Sequence, residues 1–400
     1  MNELRRLINS ISKLVWVLIR EGGFALQCLA TGKFNDARDH IRVALQVLHE
    51  DCSAFAGKMA ANARCVESSD PPRIMIIKLD RVGDMVNTTP VFDILRKKFP
   101  EAKIDLVGHP TVLTMLEDDL RIAERIPYVS PLYHPGTLKL PTLDDLKLVY
   151  RLRKRNYRAI IYLRGTFLFL PLSTRGKFFP SKFSESEPVI RRYLRAFCSE
   201  GELEGPLPLP SLTVSEVSRK RVLEKYPNIE GRRRVVIHSV SAAEGKQWPL
   251  ERFARVADGL VTRAKVNVLF LAAPVEKDKL DRVAELCKYQ HDYETGFRLS
   301  EVVAAIAEAD VFIGNDSGLS HIAAAVRTRE VVIWGAANLS MARPVALQNY
   351  CTILYHDVPC RAICREEHCV AKNYLRCLLE TNESEVVEAA LVHLRASKVT

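Results

Sequence analysis

The chain has 400 residues, 48% of them apolar and 26% charged, a composition that excludes disordered and collagen-like classes and predicts a globular protein of about two or three domains. No apolar run reaches the length of about 18 residues that a membrane-spanning helix requires. The net charge is +10, and the excess is local. Between Lys147 and Arg195, thirteen basic residues face only Glu185 and Glu187, which gives that segment +11 and leaves the rest near neutral. Such a segment is either a solvated face or a surface for an anionic partner: phosphorylated lipid, membrane or nucleic acid.

Residues 1–70 read as helical and distinct from the rest of the chain. Leu4, Leu7, Ile8, Ile11, Leu14, Val15 and Leu18 recur at helical spacing, which suits packing on a core or lying on a membrane surface. The apolar stretch Leu14–Ile19 behind Arg5 and Arg6 is short and lacks a small-residue cleavage site, so no signal peptide is read and a cytoplasmic location is expected. Ser68 to Pro72 forms a linker.

Strand and helix patterns then alternate. Ile74 to Ile77 is a buried parallel strand, followed by a loop containing Gly83, a helix through Val91, Ile94, Leu95 and Phe99, and a strand at Ile104–Gly108. Ala159–Leu163 is a further strand. The proline-rich stretch 201–212 separates this region from a second alternating one. Strands there are expected at Val235–Ile237, Val266–Leu271, Val311–Ile313 and Val331–Ile333, with helices between them. The fold class is α/β, with two doubly wound domains. Neither contains the GxGxxG dinucleotide fingerprint.

Ligands in such sheets sit at the carboxyl ends of strands, so the loops there hold the candidate chemistry. The first loop, Lys78 to Asp84, places Asp84 just before a helix expected from about Met85. Its carboxylate can cap that helix or act as a general base. The second, His238 to Pro249, carries Lys246, which suits a phosphate, and Trp248-Pro249, which pins the loop. The third, Gly314 to His321, combines small residues with a helix N-terminus, an arrangement that suits a diphosphate.

These three stretches, IMIIKLDRVGDMVNTTP from Ile74, VVIHSVSAAEGKQWP from Val235 and DVFIGNDSGLSHIAAA from Asp310, resemble glycosyltransferase family 9, the ADP-heptose:lipopolysaccharide heptosyltransferases and their relatives. The resemblance covers about residues 73–380. It implies a GT-B architecture: two Rossmann-like domains facing across a cleft, here an acceptor domain over 71–205 and a nucleotide-sugar donor domain over 206–400. Residues 1–70 form an extension outside the family pattern. It also implies an inverting transfer, needing no catalytic metal, of a heptose from ADP-heptose to a lipopolysaccharide core or related surface glycan. Alternatives are another nucleotide sugar, a protein acceptor as in autotransporter heptosyltransferases, or a non-catalytic nucleotide-sugar binder. Nucleic acid is suggested by charge alone, and no binding motif supports it.

Carried over by the resemblance, Asp84 is the general base, and Lys246 holds the donor phosphates. Asp316, Ser317, Gly318, Leu319 and His321 surround the diphosphate. Ser239 and Ser241 lie where hydroxyls contact phosphate, and Glu276 where a carboxylate takes ribose hydroxyls. Arg164, Arg175, Lys177, Arg191 and Arg192 would suit an anionic lipid-linked acceptor, with peripheral contact on the cytoplasmic face of the inner membrane.

Five cysteines fall within 351–377. Cys360, Cys364, Cys369 and Cys377 are spaced C-x₃-C-x₄-C-x₇-C, enough thiolates for a structural zinc or iron, though the spacing is not that of a zinc ribbon. The alternative is four reduced cysteines packed as small hydrophobes.

Overall fold

Short apolar strands assemble two separate parallel sheets in the computed structural model. It describes residues 71–129, 142–155, 157–164, 177–180, 188–195, 197–199, 201–206, 208–360, 369 and 374–396. The helical extension expected over 1–70 lies outside the described residues. In chain order the elements begin with β1 (Arg73–Lys78), α1 (Val82–Val86), α2 (Thr89–Lys98), β2 (Lys103–Gly108), α3 (Pro110–Leu113), β3 (Glu124–Pro127), α4 (Leu143–Arg153), β4 (Ala159–Arg164), β5 (Lys177–Pro180) and α5 (Val189–Leu194). Next come α6 (Glu216–Lys225), β6 (Arg233–His238), α7 (Leu250–Arg263), β7 (Val266–Leu271), α8 (Lys277–Leu286), β8 (Asp292–Glu294), α9 (Leu299–Ala307) and β9 (Val311–Asn315). The series ends with α10 (Gly318–Ala325), β10 (Arg329–Ile333), α11 (Leu339–Ala342), β11 (Cys351–Leu354), α12 (Arg376–Leu379) and α13 (Glu383–Arg395).

The first sheet has the order β3-β2-β1-β4-β5 and the second β11-β10-β9-β6-β7-β8, with every pairing parallel. Central strands are continuous apolar runs because both faces are covered. Met75, Ile76 and Ile77 of β1 are fully buried, as are Val235, Val236 and Ile237 of β6. In register, Ile74 lies opposite Ile104 on one side and Ala159 on the other.

Grouped by contact, the chain forms two compact units that do not divide at the expected boundary of 205 and 206. One runs up to Leu79 and includes Phe99–His109 and Ile122–Lys182. The other takes Asp80–Lys98, Pro110–Arg121 and everything from Phe183. The loop bearing Asp84 therefore belongs with the second sheet, although it comes after β1 in sequence.

The first unit is centred on Met75, Ile77, Val107, Ile160 and Tyr162. Within it, the buried carboxylate of Asp105 on β2 accepts from Arg73 at 2.6 Å, Tyr157 at 2.8 Å and Arg155 at 3.3 Å. Arg155 also forks onto Glu124. This part of the basic segment thus pairs internally. Three donors converge on Oδ2 and offset part of the cost of burying this charge, while Oδ1 has no hydrogen-bond partner among the described residues.

The second unit packs α7 on its sheet through Phe253, Ala254, Val256, Ala257 and Leu260, spaced on one helical face. Trp248 is fully buried, edge-on to Phe253 at 4.9 Å, and its indole N–H donates to the Thr381 carbonyl at 3.2 Å. Side chains of this size contribute about 2–3 kcal/mol each by burial. Trp248 therefore anchors the end of the Lys246 loop, as its place in the sequence suggests.

Candidate active site

Asp84 is the third residue of α1, not the residue before a helix. The N-cap is Arg81, extended and without a side-chain cap bond. The capping role expected for Asp84 is accordingly taken by no side chain, and its carboxylate accepts from Tyr193 Oη at 3.0 Å. Its carbonyl accepts from Thr88 Oγ1 at 2.9 Å, which ties α1 to the start of α2. Tyr193, on α5, is fully buried. Burial, reinforced by the charges of Asp84 and Asp80, raises its pKa well above that of a free phenol. It is therefore a permanent O–H donor to the carboxylate.

Arg192 does not lie on an open acceptor surface as expected. It is buried, with its guanidinium 5.5 Å from the centre of the Tyr193 ring. Arg191 beside it is half-buried.

Two glycines let α1 and α10 approach closely. A Cβ on Gly83 would lie 2.7 Å from His321 Cδ2, and one on Gly318 would lie 2.8 Å from Val82 Cβ and 3.1 Å from the Gly83 nitrogen. No larger residue fits either position without separating the two helices. His321, buried on α10, thereby comes against the Asp84 loop. Its Nδ1 is 3.4 Å from Asn87 Nδ2. If the amide donates, the ring proton belongs on Nε2, a tautomer assigned from that contact. Burial pushes the pKa of His321 down to about 4, against the opposing pull of Asp84. At neutral pH this imidazole offers an N–H and no charge.

The positive charge comes from Lys246, in a 3₁₀ turn over Glu244–Lys246, whose Nζ is 3.0 Å from Asp316 Oδ2. Asp316 comes directly after β9, and Ser317 caps α10 without a side-chain cap bond. Its hydroxyl lies 3.4 Å from His238 Nδ1. Burial, opposed by Glu276, pushes His238 down to about 4, so it too is neutral. The start of α10 therefore presents backbone N–H groups near one lysine.

Gln247 staples the second loop. Its amide donates to the carbonyls of Ser239 at 2.8 Å and Trp248 at 2.6 Å, while its oxygen accepts from the Ser241 N–H at 2.7 Å. Asn315 adds bonds to the Trp248 N–H at 3.0 Å and the Ser239 carbonyl at 3.3 Å. Ser239 and Ser241 are both buried, and the Ser241 hydroxyl bonds locally to Ala243. Glu276 caps its own turn by accepting from the Ala273 N–H at 3.0 Å. The loop also rests on Gly335, where a Cβ would run into the Gly245 carbonyl oxygen.

Asp84, His321, Lys246, Asp316, Ser317, Gly318 and Leu319 all belong to the second unit. Sequence reasoning missed Tyr193, Asn87, Gln247 and Asn315. Of these, Asn87, Gln247 and Asn315 lie inside the three stretches that carry the family resemblance, and only Tyr193 lies outside them.

Arg164 and Lys177 lie on β4 and β5, and Arg175 lies outside the described residues. Cys364 also lies outside them. Cys377 is part of the second unit's core with Cys360 packed against that core, and Cys369 Sγ accepts from the Leu375 N–H at 3.2 Å. Among the described residues these three thiols form no group at metal-ligand spacing.

The family model described as glycosyltransferase family 9 (heptosyltransferase) matches residues 178–375. Lipopolysaccharide heptosyltransferase 3 of Escherichia coli K12 is 26% identical over 295 residues, 66% of this chain and 82% of that protein. Lipopolysaccharide heptosyltransferase 2 of the same strain is 26% identical over 306 residues, 68% and 86% respectively. Among solved structures, a family 9 glycosyl transferase from Veillonella parvula superposes with TM-score 0.67 at 20% identity, covering 81% of this chain and 97% of that one. Escherichia coli ADP-heptose lps heptosyltransferase II gives 0.65 at 19%, covering 80% and 98%. Two parallel α/β sheets in the GT-B manner, with the loop residues gathered as above, accord with these matches, and the chain is similar to glycosyltransferase family 9, of the heptosyltransferase-like kind.

Proposed function

We propose that the chain transfers a heptose from ADP-heptose, with inversion and without a catalytic metal, to a hydroxyl of a lipopolysaccharide core or related anionic surface glycan. On this reading Asp84 takes the hydroxyl proton as the acceptor oxygen forms its bond to the anomeric carbon. The bond from that carbon to the diphosphate breaks, and ADP leaves. A positioned base contributes about 10²–10⁴-fold. Lys246 and the N–H groups opening α10 stabilise the charge that develops on the diphosphate, at about 2–4 kcal/mol per well-placed donor. His321 contributes a neutral N–H. The observation that carries the reading is the Asp84 carboxylate held by the Tyr193 hydroxyl at 3.0 Å, in the same compact unit as the Lys246–Asp316 pair.

The curated relatives, named as lipopolysaccharide heptosyltransferases, support the acceptor class, and a solved neighbour carrying ADP-2-deoxy-2-fluoro heptose supports the donor class. An anionic lipid-linked acceptor places the work at the cytoplasmic face of a membrane, with peripheral contact.

Asp84→Asn tests the assignment. With ADP-heptose and a purified core acceptor, kcat falls by about 10²-fold or more, while calorimetry finds ADP affinity changed less than about threefold. Full turnover by a variant that melts like the parent removes Asp84 from the mechanism.

A further inference from the structure

A second cluster of chemically competent side chains lies away from these loops. Asp258 projects from the middle of α7, Cys287 closes α8, and His291 immediately precedes β8. One ligand atom from each, a carboxylate oxygen, the thiol sulfur and a ring nitrogen, lies within 4.8 Å of the others. His291 Nε2 and Asp258 Oδ1 are 3.3 Å apart. Two ligands bound at about 2.0–2.1 Å to one tetrahedral ion stand about 3.3 Å apart, so this pair already has the spacing of a coordination edge. A sulfur at about 2.3 Å would complete edges of about 3.6 Å, which a small thiol movement reaches.

The surroundings hold the ligands in place. The Asp258 carboxylate accepts from the backbone N–H of Lys288 at 2.9 Å and of Tyr289 at 3.2 Å, so it is oriented whether or not an ion is present. The His291 ring is buried edge-on to Phe270, which stacks on Tyr293. Cys287 is half-buried. Backbone donors thus fix the carboxylate, as ligating carboxylates are fixed by outer hydrogen bonds, and aromatic side chains wall the imidazole.

We propose that Asp258, Cys287 and His291 form a Zn²⁺ site, with three protein ligands and a fourth position open to water. Thiolate, imidazole and carboxylate together select zinc over magnesium or calcium. Binding expels the thiol proton and any proton shared between His291 and Asp258, so affinity rises with pH. The ion would join α7 to the α8–β8 connection. It would sit apart from Asp84 and Lys246 and play no part in transfer.

Zinc chloride competition against a chromophoric chelator, on the full chain, provides the test. The parent binds one equivalent more than Cys287→Ser or His291→Gln, and Asp258→Asn weakens that equivalent at least about tenfold. Counting the difference between chains separates this site from any zinc held by the C-terminal cysteines. The second measurement needs no variant. Alkylation of Cys287 in the parent, followed by mass spectrometry of its peptide, slows at least about tenfold with one equivalent of zinc. Identical zinc stoichiometry in parent and variants, or alkylation of Cys287 unchanged by zinc, overturns the proposal.

Discussion

The Tyr193 hydroxyl, 3.0 Å from the Asp84 carboxylate, makes a charge-assisted bond that one atom's removal would break. Such bonds are worth about 1.5–3 kcal/mol, so Tyr193→Phe should lower kcat by about tenfold to a hundredfold while ADP affinity stays put. A kcat within twofold of the parent would mean that the phenol is only packing. Glu330 raises a different question. It lies fully buried on β10, and burial raises its pKa well above that of an ordinary carboxyl, the Cys351 thiol offsetting only part of the effect. The folded form therefore binds a proton that the unfolded chain releases above about pH 4.3. This residue's contribution to stability is thus complete below that pH and is lost as pH rises toward the folded pKa. Glu330→Gln cannot ionise. Between pH 5 and 9 its Tm should fall less steeply than the parent's, and parallel curves would assign the buried carboxyl no such role.

At the scale of elements, the interior strands were legible from sequence and the sheet edges were not. The strands β1, β2, β4, β6, β7, β9 and β10 are apolar runs because helices cover both faces. The strands that escaped, β3, β5, β8 and β11, are the outermost of the two sheets, three or four residues long. An edge such as Glu124–Pro127 or Asp292–Glu294 carries charge, which protects it from pairing with another chain and hides it from a search for apolar runs. The helix of Asp84 was misplaced for a related reason. Val82-Gly83 begins it with a glycine, a poor helix former, and only the contact with His321 explains that glycine. Tyr193 was illegible because its partner is 109 positions away. Close backbone approaches give the element-scale prediction. Gly318→Ala forces α1 from α10 and should cost about 1–3 kcal/mol of stability, lowering kcat more than ADP affinity. Gly335→Ala drives a methyl into the Gly245 carbonyl and shifts the Lys246 turn, so calorimetry should find ADP affinity down about tenfold or more. If both variants lose kcat and ADP affinity in the same proportion, the two contacts do not serve separate halves of the reaction.

Over the whole molecule, charge rather than packing should decide how an anionic acceptor is met. The segment 147–195 carries +11, but not all of it faces outward. Arg155 is committed to Asp105 and Glu124, and Arg192 is buried against Tyr193. Among the described residues, the exposed cations Lys147, Arg151, Arg153, Lys154 and Arg158 act through solvent, where the screening length contracts from about 10 Å at 0.1 M salt to about 3 Å at 1 M. Lys246 is mostly buried beside Asp316 and acts at contact, where salt intervenes less. Acceptor and donor should therefore respond differently to one variable. Raising NaCl across that range should increase the KM for a lipid-linked, phosphorylated acceptor by about fivefold or more, and the KM for ADP-heptose by less than about twofold. Arg191→Glu, at a half-buried position, should reproduce part of the acceptor effect at low salt and add little at high salt. Arg192→Glu should instead destabilise the fold, because it places a carboxylate beside Tyr193 and Asp84. Equal salt dependence of the two KM values would show that the basic segment does not meet the acceptor.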